Sequence, residues 1–147
     1  MVKIVLAVDG SEPSLAATRA LIKHRAMFIE TVEIHLLYVS APIPRLYGMH
    51  LVLDNETIER ITQEDAEQAT MSSKILLDKW SIAYKSERFV GEVAHTINEY
   101  ATTHEADFIY VGARGLGAFR GAVLGSTAIK LLQSAKAPVV VIGPCSF

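Results

Sequence analysis

The sequence predicts an α/β fold in three layers, a five-stranded parallel sheet with helices on both faces. Three observations lead there. Short apolar runs alternate with longer segments of helical periodicity along the chain, as parallel crossovers require. Several of those runs are apolar on both faces, the mark of strands buried between helical layers. The 147 residues, half hydrophobic and a fifth charged, suit a single domain spanning 1–147 with one core and no disordered tract.

The elements follow in order. Residues 3–8, Lys-Ile-Val-Leu-Ala-Val, form the first and central strand, which Asp9-Gly10-Ser11 breaks. Ser11 caps a helix that tolerates Pro13 in its first turn, sets Ala17, Ala20, Leu21, His24 and Phe28 on one face, and ends near Glu30. Residues 32–39 are the second strand, stopped by Pro42 and Pro44, and a loop runs to about Asn55. A long helix follows, with Ile58, Ile61, Ala69, Leu76 and Trp80 as its buried stripe, interrupted by Asp65. Residues 84–90 alternate charged and apolar side chains as a half-exposed edge strand does, and Gly91 ends it. The next helix turns Val93, Ile97, Tyr100 and Ala101 inward. Residues 108–111 are a buried strand, Ser126 caps a helix through Ile129, Leu132 and Gln133, and residues 138–142 are the last strand.

Between the fourth strand and the last helix lies the segment Gly112 to Ser126, rich in glycine. Peptide N–H groups close around an oxyanion only where no Cβ intervenes, and the positive end of the following helix adds attraction. From Phe108 to Phe147 the chain has no Asp or Glu but keeps Arg114, Arg120, Lys130 and Lys136. An anion cradle excludes carboxylates in this way. In open parallel sheets, ligands sit beyond the carboxyl ends of the strands where the winding reverses, here between the first strand and the fourth. Asp9-Gly10 and Gly112 mark those two ends.

Composition narrows the function. The net charge of −2, with scattered cations, argues against nucleic acid as partner. No apolar run approaches the roughly 20 residues that span a bilayer, and the start of the chain is strand-like instead of signal-like, so a cytoplasmic protein is expected. Cys145 is the single cysteine, which excludes an internal disulfide. His24, His35, His50, His95 and His104 show no pair at metal-ligand spacing, and no metal ligand is assigned among them.

The spacing Gly112, Gly115, Gly125, Ser126 satisfies the pattern G-x-x-G-x(9)-G-[ST], and Thr127-Ala128-Ile129 follows it. With the opening residues 4–11 and the closing residues 137–142, the chain resembles the universal stress protein family, in its nucleotide-binding branch. That resemblance implies an adenine nucleotide alpha-hydrolase-like fold with strand order 3-2-1-4-5. It further implies an adenine nucleotide such as ATP, with Mg²⁺, held by Ala7, Asp9, Val39, Ala41, Gly112, Arg114, Gly115, Gly125, Ser126 and Thr127. Asp9 would contact ribose or reach the metal through water, Val39 would bond the base through its backbone, and Ala41 would line the base pocket. The phosphates would lie on Gly115, Gly125 and Ser126. Arg114, between motif glycines, would reach phosphate with its side chain.

Asp9 also has a purely local reading, as a turn residue capping the amides of Ser11 or Glu12. The function expected is a dimeric cytoplasmic regulator of stress response that acts by nucleotide binding, with slow hydrolysis at most. A weak ATPase or phosphoryl-transfer enzyme and a nucleotide-free scaffold remain as alternatives. Against the enzyme, the chain has no G-x-x-x-x-G-K-[ST] loop and no acid after the glycine segment to orient a water. A dinucleotide-dependent oxidoreductase is discarded because Arg120 stands where its fingerprint needs glycine. The last strand, apolar and at a sheet edge, is expected to join two copies through Val139–Ile142.

Overall fold

Residues of alternating facing, apolar on both sides, build the middle of the sheet, and charged alternation marks one border. The structure is a computed structural model and describes residues 1–44, 46–47, 51–115 and 124–143. Strand β1 (Val2–Ala7) runs parallel to β2 (Val32–Ser40) on one side, from Val2 opposite Val32 to Ala7 opposite Leu37. On its other side it pairs with β4 (Phe108–Gly112), Ala7 opposite Val111. The borders are β3 (Tyr84–Val90), paired with β2, and β5 (Val139–Ile142), paired with β4. The order is therefore β3-β2-β1-β4-β5, the predicted 3-2-1-4-5.

Each crossover carries a helix, two to a face. Helices α1 (Glu12–His24) and α2 (Asn55–Lys79) cover the face to which Ile4, Leu6, Ile34 and Leu36 point. Helices α3 (Val93–Thr103) and α4 (Ser126–Ser134) cover the face of Val5, Leu37, Ile109 and Val111. Among the described residues, no helix is long and apolar enough to cross a membrane.

Ser11 caps α1 as predicted, its side chain accepting from the Ser14 N–H at 3.3 Å. The helix stops at His24 and not near Glu30. A 3-10 turn, Arg25–Met27, follows, and Phe28 leaves it extended so that its ring meets Phe108 at 5.6 Å. Packing of that ring against the sheet outweighs continued helical pairing. The segment predicted as plain loop contains a two-residue antiparallel hairpin, Leu46–Tyr47 with Leu51–Val52, before Asp54 caps α2 by accepting from Thr57 N–H at 2.6 Å.

The stripe predicted for α2 is rotated in the structure. Thr62, Ala66, Ala69, Thr70, Ser73 and Leu77 are buried, whereas Ile58 and Ile61 are half-buried and Trp80 is 55% exposed. Small side chains let α2 approach closely. Thr18 Oγ1 and Ser73 Oγ share a hydrogen bond of 2.8 Å, and a Cβ on Gly10 would stand 3.1 Å from Ala69 Cα. Thr62 and Thr70 satisfy their hydroxyls on the carbonyls of Ile58 and Ala66, four residues back, so their burial leaves no donor stranded. In α4, Gly125 occupies the cap position assigned to Ser126, and the inner face is Ala128 and Leu131, not Ile129 and Leu132. Cys145, Gly117 and Arg120 lie outside the described residues.

One polar network interrupts the α3 face. His35, 4% exposed in β2, bonds Glu33 through Nε2 and the Tyr100 hydroxyl through Nδ1, both at 2.7 Å. The Tyr100 hydroxyl donates to Glu87 at 2.6 Å, Lys85 donates to Glu33 at 2.9 Å, and the His104 ring stacks on that of Tyr100 at 3.9 Å.

Leu36 has no exposed surface in the layer between β2 and the α1 and α2 helices. Leu36→Ala is expected to lower unfolding stability by about 2–5 kcal/mol, read from urea denaturation.

Candidate functional site

Beyond β1 the chain must turn sharply out of the sheet into α1. Gly10 makes that turn in the left-handed region, at φ +84°. The turn fixes Asp9: its Oδ1 accepts the Ser11 N–H at 2.9 Å, while the Ser14 hydroxyl lies 3.4 Å from the Asp9 amide and donates to the Ser11 carbonyl at 3.0 Å. The local reading of Asp9 as a turn cap is thus correct for one carboxylate oxygen.

The other oxygen meets the glycine segment. A Cβ on Gly115 would stand 2.5 Å from Asp9 Oδ2, so a bare backbone at 115 lets the loop rest against the carboxylate. The remaining motif glycines answer to different neighbours. A Cβ on Gly112 would lie 2.6 Å from the carbonyl carbon and oxygen of Pro13, which makes Gly112 the point where β4 admits the first turn of α1. A Cβ on Gly125 would lie 3.3 Å from Arg114 Cα, and the Gly125 N–H donates to the Ala113 carbonyl at 2.6 Å. Loop entrance and exit are pinned together by that bond. The Gly125 amide is spent there, so its part in a cradle is space; the amides with no helical acceptor are those of Ser126, Thr127 and Ala128 in the first turn of α4.

These parts surround one cleft of about 420 Å³ at the carboxyl ends of β1, β2 and β4. Its apolar part is walled by Ala7, Leu37, Val39, Val93, Ile97 and Val111, and its polar part by Asp9, Arg114, Gly115, Ser126 and Thr127. Among the described lining residues, Asp9 is the only acid and Arg114 the only base. β2 continues to Ser40 past its last pairing with β1. The Leu37 carbonyl accepts from Val8, and by the two-residue period the Val39 peptide groups face the same side, where β1 has ended. The arrangement offers a flat apolar slot with main-chain donors and acceptors at one end and an anion-seeking helix terminus at the other.

Of the ten residues singled out from the sequence, nine line this cleft: Ala7, Asp9, Val39, Gly112, Arg114, Gly115, Gly125, Ser126 and Thr127. Ala41, exposed just past β2, is not in the lining. Sequence reasoning missed Ser14, Tyr38 and Leu124 and read Val93 and Ile97 only as core. The signal for Val93 and Ile97 was their place in the first turns of a helix that starts above the strand ends. Burial, then the nearby Asp65 and Asp9 carboxylates, push the Tyr38 phenol above its ordinary range. At the start of α3, the His95 N–H and then Lys130 hold the Glu92 carboxyl below its usual range and tie α3 to α4.

A family model described as the universal stress protein family matches residues 1–143. Universal stress protein MJ0531 of Methanocaldococcus jannaschii is 29% identical over 140 residues, 95% of this chain and 81% of that protein. A universal stress protein of Mycolicibacterium smegmatis is 30% identical over 142 residues, but this chain spans only 47% of its length. Among solved structures, UspA from Lactobacillus plantarum superposes with a TM-score of 0.78 at 23% identity, covering 96% of this chain and 97% of that one. An Arabidopsis thaliana family member with AMP bound gives 0.67 at 17% identity, covering 97% and 91%. A universal stress protein in complex with cAMP gives 0.56 at 23% identity, covering 98% of each chain. At these identities the structural likeness is one of fold.

Because the Gly112 contact is with backbone atoms that cannot swing away, Gly112→Ala is expected to destabilise the chain by about 1–3 kcal/mol. Thermal unfolding without any ligand should reveal the loss, since the clash lies between β4 and α1.

Proposed function

The chain belongs to the universal stress protein family, and from that premise we propose that it binds an adenine nucleotide, ATP foremost, in the cleft between β1 and β4. The observation that carries this reading is the contact of Gly115 with the Asp9 carboxylate, which sets loop, acid and the start of α4 around one cavity. Adenine fits the apolar slot against Val39, with the unpaired main chain of β2 as its hydrogen-bonding edge. The ribose falls beside Asp9, and the phosphates reach the free amides of Ser126, Thr127 and Ala128, with Arg114 alongside. Two relatives of this fold, one with AMP and one with cAMP, support the ligand class.

Mg²⁺ suits this donor set. The ion keeps several waters and binds through phosphate oxygens and few carboxylates, and Asp9 is the single carboxylate on offer among the described lining residues. When bound it would neutralise phosphate charge. That same carboxylate is already engaged by the Ser11 N–H and packed on Gly115, which makes it a poor base for activating water, so hydrolysis is slow at most. The protein then acts as a cytoplasmic regulator whose occupied and empty states differ around the loop and are sensed by other proteins.

We further propose a homodimer joined along β5. That strand is a sheet border, and beside it α4 exposes Ile129 and Leu132, at 42% and 53%. Sedimentation at micromolar concentration should show a dimer; a monomer would refute the pairing.

The nucleotide reading is tested by mass spectrometry of small molecules released on denaturing protein purified without added ligand. Adenine nucleotide is expected, and Gly125→Val, whose side chain would force apart residues 114 and 125 at the neck, should abolish ATP binding while preserving the far-ultraviolet circular dichroism. ATP affinity unchanged in that variant would overturn the assignment.

A further inference from the structure

The polar network under α3 gathers three residues far apart in sequence, His35, Glu87 and His104, each offering a ligand atom within 4.8 Å of the others. We propose that they form a site for one divalent transition-metal cation, Zn²⁺ by the chemistry of its two imidazoles and one carboxylate. The site lies outside the nucleotide cleft, and its residues have no part in that reading.

Hydrogen bonds around the two rings already select the tautomers a metal needs. His35 Nε2 lies 2.7 Å from the Glu33 carboxylate, which is an acceptor only, so Nε2 carries the proton and Nδ1 the lone pair of the neutral ring. His104 Nδ1 lies 2.9 Å from the Tyr100 carbonyl, again an acceptor, which leaves Nε2 as that ring's lone pair. A carboxylate behind one imidazole and a peptide carbonyl behind the other are the outer partners that orient metal-bound histidines.

The centre of the cluster is short of positive charge. The Tyr100 hydroxyl lies 2.7 Å from His35 Nδ1 and 2.6 Å from Glu87 Oε1, and its single proton cannot serve both. A cation placed among the three ligands serves both acceptors at once, where the one phenol proton serves a single acceptor. Nearby charge favours entry: the carboxylates of Glu33 and Glu87 face the ammonium of Lys85 alone among the charged partners bonded in this network. Access is open, because Glu87 is exposed and His104 half-buried while His35 forms the buried floor. The remaining coordination position falls to water, as in three-ligand zinc sites.

Zinc titration of chelator-treated full-length protein by calorimetry, without nucleotide, tests the site, together with the visible spectrum of the Co²⁺ form. One ion per chain is expected, with tetrahedral Co²⁺ bands and a rise in the unfolding temperature on zinc addition. His104→Ala and Glu87→Gln should each weaken zinc at least tenfold, and Glu33→Gln about 10–100-fold through the orientation of His35. Tyr100→Phe should retain binding, because the hydroxyl is not among the ligands. No zinc binding, affinity unchanged in both His104→Ala and Glu87→Gln, or loss of zinc in a folded Tyr100→Phe would each overturn the proposal.

Discussion

Everything near the cleft depends on how closely two stretches of backbone approach across the top of the sheet. Pairing of β1 with β4 brings their carboxyl ends side by side, and the three glycines at 112, 115 and 125 then remove the Cβ atoms that would keep α1, Asp9 and the start of α4 apart. Their roles are distinct. The first admits a helix to the sheet, the second admits the loop to a carboxylate, and the third lets the loop close on itself. None of the three is required by its backbone angle; among the described glycines that holds for Gly10 alone. The motif is therefore a record of distances between chain segments before it is a record of ligand contacts.

The two faces of the sheet solve the burial problem differently. Against α1 and α2 the interior holds buried hydroxyls, and those of Thr18, Thr62, Thr70 and Ser73 bond a helical carbonyl or another hydroxyl, so α2 lies close to its neighbours without large side chains. Against α3 and α4 the interior is aliphatic toward the cleft and polar farther back, where His35 draws two carboxylates and a phenol around itself. Burying such groups is costly unless they are bonded, and each described buried side-chain polar atom has a hydrogen-bonding neighbour, although the Tyr100 hydroxyl lies between two acceptors.

Strand positions were legible because buried parallel strands and a charged border strand leave plain patterns, and residues 84–90 match the structure end to end, while the strand order came with the family resemblance. Asp9, Gly112, Gly115, Gly125 and Ser126 were legible because a spaced motif and the switch-point rule named the same place, whereas Ala7, Val39, Arg114 and Thr127 came with the family resemblance. The face of α2 was not, since hydrophobic periodicity follows Ile58, Ile61 and Leu76 whereas the packing selects Thr62, Ala66 and Ser73 for their size. Nor was the individual duty of each glycine, which depends on partners such as Pro13 and Asp9 that lie about a hundred residues away in the chain. The His35, Glu87 and His104 cluster was hidden for the same reason: no local spacing records a meeting of two strands and a helix end.

The bond from the Gly125 amide to the Ala113 carbonyl closes a ring whose neck is set by main-chain atoms alone. Side chains at Ala113 can therefore change without opening the neck, whereas proline in place of Gly125, having no N–H to donate, would break it.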